Sequence, residues 1–367
     1  MTSKSAKTIL RNSKRILYKI REKIFYKKLD WTCISNPLKE DPNELFNIHN
    51  PTIEEYRLKY HIDGKAKTSY DWWYSAILKD IEEKFYFFVL AFHPKWSFYR
   101  IIQIDTRQNQ ENLESLPNFP VVGCDLHEKI GYSEQDNAIS IWVSKTPKPK
   151  SSEKAVARCI IKPGESRLTL KTDKMTMNLN FTSLGIPFWI NRGREATCSP
   201  KGDTMSGFYD VSKVEGFLKH DTQKTEISGV GINEHLMSFT PPERFWKRID
   251  GIFFCTDQVY CAFWYLENEI GSRRYEYKDG AVFIRATKEY LIPTDFKIEY
   301  MEFDKLERFP VRIRISADTT KGKLNAIAQT MAETEKQMAL KITDGHFAFK
   351  DGRKLRLTNG YGQHALH

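Results

Sequence analysis

Two short clusters in this 367-residue chain combine side chains that are suited to chemistry. One is Asp71–Tyr74, in which a carboxylate is followed directly by three aromatic rings (Asp71, Trp72, Trp73, Tyr74). The other is Gly229–His235, in which two glycines precede an amide, a carboxylate and an imidazole (Gly229, Gly231, Asn233, Glu234, His235). The first cluster suits an apolar ligand, and the second suits proton transfer.

The second cluster predicts a proton donor. A Glu beside a His in an aromatic cavity has a raised pKa, because desolvation favours the neutral acid. Such an acid can protonate an alkene or an enol, and ring faces stabilise the resulting cation. The glycines permit a bulge or bend at a strand end, which aims Asn233, Glu234 and His235 out of the regular pleat. The alternative is a surface turn with two solvated polar residues.

The first cluster predicts a binding surface. In a strand, Asp71 and Trp73 face one way while Trp72 and Tyr74 face the other. Aromatic rings bury a large area with little loss of entropy, so they can line the mouth of a barrel that holds an apolar molecule. The alternative is a pair of tryptophans that close the barrel core.

The elements that carry both clusters are predicted to be strands. The chain is 40% hydrophobic and 13% aromatic, which excludes a disordered or fibrous protein. Apolar runs of five to nine residues, such as Phe85–Phe92, Phe98–Ile104 and Val259–Leu266, are separated by turn residues. This spacing is typical of antiparallel sandwiches or barrels. Strands and helices do not alternate along the sequence, so a parallel nucleotide-binding sheet is not expected.

An internal similarity predicts a duplicated β-domain. Residues 214–235 and 343–365 each form a predicted hairpin that ends in Gly-x-Gly, polar residues and a His. The match is short, so chance similarity is the alternative. We predict an N-terminal helical extension over 1–50, a first β-domain over 51–205 and a second over 206–367, with the boundary in the Gly-, Pro- and charge-rich stretch 191–206.

The positive charge is concentrated at the N-terminus. Residues 1–30 carry ten Lys and Arg against two acids, a net +8, which leaves only +2 of the total +10 for the remainder. Residues 7–29 have helical apolar spacing and predict a basic amphipathic helix. It lies on an anionic membrane surface, or it packs on the body or on a second subunit. The near-neutral body argues against nucleic-acid binding.

Several other classes lack their signatures. Six cysteines without a CxxC pair predict free thiols in a reducing compartment, so we expect a cytoplasmic protein, with the inner face of the membrane as its second location. No apolar run reaches about 18 residues, and no secretion signal is evident. The sequence has no GxSxG, P-loop, GxGxxG after a strand or HExxH, and its nine His lack metal-ligand spacing, so we predict no cofactor and no metal.

The two clusters, in this order and about 160 residues apart, resemble the AttH-like, carotenoid 1,2-hydratase (hydroxyneurosporene synthase) family of lipocalin-like proteins. The family motif of an acidic residue followed by WWY corresponds to Asp71–Tyr74. Its Tyr-containing strand, V-x-G step and strand leading into an acidic and His cluster correspond to Phe208–Val211, Val214–Gly216 and Ile227–His235. The family's W-x-W-F strand is altered here, between Phe245 and Phe254. The resemblance spans about 70–367.

The resemblance implies two consecutive lipocalin-like antiparallel β-barrels and a hydrophobic ligand. The family includes carotenoid and phytoalexin hydratases, cyclases that act as Diels–Alderases, and members without an assigned activity. In the hydratase branch an Asp with neighbouring His and aromatics supplies the acid. Here that stretch carries Glu234 and His235, with Asn233 where a His is expected.

Two hypotheses follow from the residues and the resemblance. The first is a cofactor-independent hydratase or cyclase that protonates an isoprenoid-like substrate, with Glu234 as acid and His235 as its partner. Its ligand-binding residues are Asp71, Trp72, Trp73, Tyr74, Tyr209 and Asn233. The second is a non-catalytic carrier of lipophilic molecules that docks on the membrane through residues 7–29.

Overall fold

The structure is a computed structural model that describes residues 29–56, 69–93, 96–104, 122–126, 130–135, 137–144, 155–172, 175–202, 204–220, 222–238, 246–270, 272–304, 309–334 and 337–366. The helix predicted over 7–29 lies outside these ranges, apart from Leu29. Within them, no helix is long and apolar enough to cross a membrane.

The described chain is almost entirely β-structure, as predicted. The strands of the first sheet are β1 (Ser69–Asp80), β2 (Phe85–His93), β3 (Trp96–Ile104), β4 (Val122–Leu126), β5 (Ile130–Gln135), β6 (Ala138–Ser144), β7 (Ala155–Lys162), β8 (Glu165–Lys171), β9 (Met175–Ser183), β10 (Phe188–Trp189), β11 (Ala196–Thr197), β12 (Thr204–His220) and β13 (Gln223–Ser238). Those of the second sheet are β14 (Arg248–Cys255), β15 (Val259–Ile270), β16 (Arg273–Ile284), β17 (Glu289–Leu291), β18 (Pro293–Phe303), β19 (Pro310–Thr319), β20 (Gly322–Thr334), β21 (Gln337–Phe349), β22 (Lys354–Arg356) and β23 (Tyr361–Leu366). Short 3-10 turns cover Trp31–Cys33, Pro37–Lys39, Ile53–Tyr56 and Ile190–Gly193.

The pattern of apolar residues in each strand depends on whether one or both of its faces are buried. In β8, Leu168 and Leu170 are fully buried and alternate with the exposed Arg167, the pattern of a strand with one solvated face. In β2, by contrast, Phe87 and Phe88 are both fully buried although they point to opposite faces. A strand buried on both sides reads as a continuous apolar run, and β2 lies between two layers of the molecule.

The two sheets repeat one topology. The first has the order β4-β3-β2-β1-β13-β12-β9-β8-β7-β6-β5, and the second has β17-β16-β15-β14-β23-β21-β20-β19-β18. In each, a four-stranded meander runs outward from the first strand, and the last strand returns to pair beside that first strand. The two stretches from Gly-x-Gly to His occupy corresponding positions, in β13 beside β1 and in β23 beside β14. The hairpin predicted over 214–235 is β12–β13, whereas within 343–365 the end of β21 pairs with β22, and β23 pairs with residues 337–341.

Each sheet curls around its own core. In the first, Tyr99 of β3 and Ile139 of β6 lie near opposite edges yet share one buried cluster, which requires the sheet to close upon itself. In the second, Leu291 of β17 and Phe296 of β18 lie in the two edge strands and also share a core. This is the predicted arrangement of two lipocalin-like barrels.

The division between the sheets differs from the boundary predicted at 205/206. Strands β12 and β13 belong to the first sheet, so the division falls between Ser238 and Arg248. The Gly- and Pro-rich stretch 191–206 does not act as a linker. It contains a 3-10 turn and β11, and both β10 and β11 pair with β12.

A third core joins the two sheets. Outward-facing residues of β12 and β13 pack against outward-facing residues of β14 to β16. At its centre the ring of Tyr209 stacks on Phe253 with a centroid distance of 4.5 Å and lies 5.6 Å from Trp264. Because residues of both sheets build this core, neither sheet can unfold without exposing the other.

Replacing Phe253 by Ala should therefore destabilise both sheets together. We expect a loss of about 3–5 kcal/mol in the free energy of unfolding, the cost of deleting a buried aromatic ring. Urea unfolding followed by tryptophan fluorescence and by circular dichroism should show one coincident transition. As a control, Phe303→Ala, at a side chain that is half exposed, should cost less than about 0.5 kcal/mol. Two separate transitions would contradict the shared core.

Candidate active site

The structure brings the two sequence clusters side by side. Strand β1 pairs with β13 so that Trp72, Trp73 and Tyr74 stand opposite His235, Glu234 and Asn233, respectively. On the other side of β13, strand β12 places Phe208, Tyr209 and Asp210 opposite His235, Glu234 and Asn233, respectively. Three rows of side chains therefore run across three strands.

The rows alternate between the two faces of the sheet. The row of Trp72, His235 and Phe208 and the row of Tyr74, Asn233 and Asp210 face the interior of the first sheet, where all six are buried. The row between them, Trp73, Glu234 and Tyr209, faces outward, and Tyr209 packs against the second sheet. The structure thus separates Glu234 from His235, which the sequence analysis had paired. Asp71 lies in β1 opposite Leu236, and its side chain is outside the described part of the structure.

The bend predicted at Gly229–Gly231 does not occur. The register of β1 with β13 runs unbroken from Ser69 to Asp80, so the residues after the glycines keep their alternation. The glycines serve close packing instead. A Cβ at Gly229 would lie 1.9 Å from the Ile77 carbonyl oxygen, and one at Gly231 would lie 2.7 Å from the Phe181 ring.

Asp210 is a buried carboxyl group in this interior. Its Oδ1 lies 2.6 Å from Ser183 Oγ, which is also 2.8 Å from the Gly185 carbonyl oxygen. Ser183 Oγ can donate its single proton to either oxygen, and when it donates to Asp210 it stabilises the carboxylate. Burial raises the pKa of Asp210 to about 7, although the hydrogen bond with Ser183 opposes the rise. At neutral pH a large fraction of Asp210 therefore carries a proton.

Asn233 lies directly across from Asp210 and offers an acceptor. Its amide nitrogen donates to Ser166 Oγ at 3.4 Å, and the Tyr74 hydroxyl donates to the same oxygen at 3.4 Å. The Asn233 Oδ1 atom is buried and has no hydrogen-bond partner among the described residues. A buried acceptor without a donor costs about 1–3 kcal/mol. This oxygen is therefore a place where a ligand or a water molecule can donate.

Aromatic rings enclose these polar groups. The His235 ring stacks on Trp72 at 4.8 Å between centroids. Tyr56, from the 3-10 turn Ile53–Tyr56, stacks on His235 at 6.1 Å and meets Phe208 edge-on at 5.1 Å. Burial, with a smaller contribution from the Asp210 charge, raises the pKa of Tyr56, so its phenol stays protonated. Such ring faces attract a developing cation.

The second sheet carries a different buried acid in its interior. Asp250 accepts a hydrogen bond from His364 Nε2 at 3.0 Å and from Arg248 Nε at 2.6 Å, and Tyr300 donates to it as well. Burial favours neutral Asp250, but its hydrogen bond with His364 and the charges of His364 and Arg248 prevail, so its pKa lies below the usual value. Asp250 is a stable anion, whereas Asp210 can give up a proton.

Sequence reasoning missed three residues of this site. A sequence pattern could have identified Asp210, because this carboxylate lies in an apolar strand two residues after Phe208 and therefore on the same face. Ser183 and Tyr56 had none, because they reach the site from distant parts of the chain. In the part of the chain that the structure describes, no group of three or more His, Cys, Asp and Glu could hold a metal ion. The five cysteines with described side chains are free (Cys33, Cys159, Cys198, Cys255, Cys261).

Comparison with known proteins supports the fold. No protein-family model and no curated protein matches the sequence. A solved structure of a candidate AttH from Nitrosomonas europaea matches with a TM-score of 0.54 and 11% identity, covering 84% of this chain and 96% of that one. CghA matches with a TM-score of 0.54 and 9% identity, covering 92% and 96%. Kievitone hydratase from Nectria haematococca matches with a TM-score of 0.47 and 13% identity, covering 81% and 88%. The resemblance seen in the motifs is confirmed at the level of the fold.

The titration of Asp210 is directly measurable. Infrared difference spectra should show protonated carboxyl absorption that is lost as the pH rises through about 7, and the part of this absorption that Asp210 contributes should be missing in Asp210→Asn. Because burial raises the pKa of Asp210 in the folded chain, its contribution to stability is complete below the unfolded pKa of about 3.9 and is lost as the pH rises through about 7.

Asp279 is the matched control for this measurement. It lies between the sheets, and burial also raises its pKa to about 7. Its band should persist in Asp210→Asn and disappear in Asp279→Asn. Identical carboxyl absorption in wild type and Asp210→Asn at about pH 6 would contradict the titration expected for Asp210.

Proposed function

We propose that this chain is a cofactor-independent hydratase or cyclase that acts on a hydrophobic, isoprenoid-like substrate, with Asp210 as the acid that protonates an alkene. The observation that carries the proposal is the state of Asp210. Burial brings its pKa to about 7, with only the Ser183 hydrogen bond acting against that rise. An acid with a pKa near the working pH transfers protons most efficiently.

Each step of hydration is assigned to particular residues of the interior. Asp210 gives its proton to one alkene carbon, and the π electrons form the new C–H bond, leaving a cation at the other carbon. The faces of Trp72, Tyr74 and Phe208 stabilise this cation. A water molecule that donates a hydrogen bond to Asn233 Oδ1 attacks the cation and returns a proton to Asp210, which restores the acid.

Cyclisation needs the same residues and no water. After protonation, a second alkene of the same substrate attacks the cation and closes a ring. Asp210, now a carboxylate, removes a proton from the carbon next to the new cation. The shape of the aromatic interior then determines which ring forms, since it fixes how the substrate folds.

This assignment gives Asp210 the role that the sequence analysis gave to Glu234. Glu234 lies between Trp73 and Tyr209 in the outward-facing row, so it does not face the aromatic interior. His235, Trp72, Tyr74 and Asn233 remain in the ligand-binding surface, now as neighbours of Asp210.

The comparison of Asp210→Asn with Glu234→Gln tests the proposal, because both changes replace a carboxylate by an amide of the same shape. The lipophile that copurifies with each protein is extracted and analysed by mass spectrometry, then incubated with fresh protein. We expect Asp210→Asn to keep the lipophile unchanged, with turnover lower by about a hundredfold or more. Glu234→Gln should retain most of the wild-type turnover.

Other outcomes separate the alternatives. Loss of turnover in Glu234→Gln alone would assign the acid to Glu234. The same unmodified lipophile from wild type and both variants would indicate the non-catalytic carrier. Retention of full turnover in Asp210→Asn would overturn the mechanism.

We further propose that the protein acts in the cytoplasm, with residues 7–29 binding the anionic inner face of the membrane. The net charge of +8 over residues 1–30 supports this location. In the full chain, replacing Lys14, Lys19 and Lys23 by Glu should abolish binding to anionic vesicles, and wild-type binding should weaken steeply with salt. Neutral vesicles serve as the control. Unchanged binding by the variant would contradict this role.

A further inference from the structure

A cavity of about 570 Å³ opens at one end of the first sheet. It lies between the β1–β2 turn and the β12–β13 turn, beside the end of β3 and the start of β9. Its volume is within the range of sites that hold drug-sized ligands.

The cavity is separate from the Asp210 site. Tyr74 shares the row of Asp210, whereas Asp80, at the cavity, lies six residues further along β1. At about 3.3 Å per residue this separation is about 20 Å. The interior between them is filled by buried side chains, including Leu78, Val214 and Phe181.

The lining of the cavity is apolar in its depth. Ile101 and Met175 are each only 5% exposed, and the half-buried Leu218 lies beside them. Ile81, which is 86% exposed, continues the apolar lining to the rim. A ligand with an apolar body can therefore be buried from the rim inward.

The charged groups of the rim are matched by their own neighbours. Lys84 lies 2.5 Å from Glu82, and Lys224 lies 2.6 Å from Glu226. The carboxylate of Asp80 accepts from the backbone nitrogens of Glu82 and Lys84 at 2.9 Å and from the Tyr86 hydroxyl at 3.0 Å. Among the described residues of the lining, both lysines are already paired with a carboxylate, so they offer little attraction to an anionic head group.

We propose that this cavity is a second ligand site, which binds a neutral lipophile by its apolar body. The amides of Gln103 and Gln223 and the hydroxyl of Thr225 lie in the lining and are suited to bond a hydroxyl or carbonyl at the polar end of that ligand. This site is independent of the chemistry proposed at Asp210.

The test is a fluorescence titration of the full chain with the neutral probe N-phenyl-1-naphthylamine. Leu218→Trp fills the apolar depth and should weaken binding about tenfold or more, equivalent to about 1.4 kcal/mol. Lys213→Trp is the matched control, because Lys213 is an exposed residue of the same strand that points to the opposite face and lies five residues from Leu218. It should bind the probe within about twofold of wild type.

A second probe tests the chemistry of the ligand. The anionic 8-anilinonaphthalene-1-sulfonate should bind at least about tenfold more weakly than the neutral probe, since both described lysines of the rim are already paired with carboxylates and do not offset its desolvation. Thr225→Trp, at the rim, blocks the same cavity and replaces Leu218→Trp if circular dichroism shows that the latter is unfolded.

The outcomes for the two sites are distinguishable. Equal binding of the neutral probe by wild type and the blocked variants, tighter binding of the anionic probe, or no binding by wild type would each overturn the second site. Asp210→Asn should bind the neutral probe like wild type, and Leu218→Trp should keep the infrared band of Asp210. Failure of the proposed chemistry therefore leaves this result unaffected.

Discussion

The pairing of β1 with β13 is the constraint on which the rest of the structure depends. It joins segments about 160 residues apart in an unbroken antiparallel register. Glycines at 229 and 231 permit it, because a Cβ at either position would meet backbone or buried rings. This one ladder joins the meander of β1 to β4 to the remaining strands of the first sheet, sets Trp72 against His235, and holds β12 where Asp210 faces the aromatic interior. The equivalent pairing of β14 with β23 joins the two parts of the second sheet.

Two buried acids show how neighbours decide the chemistry of a common fold. Asp250 is surrounded by Arg248, His364 and Tyr300, and remains an anion that organises its sheet's polar cluster. Asp210 has a serine hydroxyl instead, and desolvation holds it near the midpoint of its titration at neutral pH. The same curled architecture thus provides a structural carboxylate in one sheet and a carboxyl group that titrates near neutral pH in the other.

The sequence predicted the fold class well because it depends on local patterns, namely alternation, turn residues and aromatic runs. The sequence did not predict features that depend on the three-dimensional arrangement of the strands. Glu234 and His235 are adjacent in the chain, and for that reason they point to opposite faces of a regular strand. The stretch 191–206 has the composition of a linker, but the pairing of β10 and β11 with β12 keeps it in the first sheet. Ser183 and Tyr56 approach Asp210 only through long-range folding, which no spacing rule captures.

Tyr209 and Asp210 are consecutive residues with different surroundings. Tyr209 is held in the layer between the sheets, while Asp210 faces the interior of the first sheet. The core around Tyr209 therefore also limits how the chain can be recombined. One half of the chain can be exchanged for that of a related protein only if the surface around Tyr209 is exchanged with it, because residues of both sheets build that core.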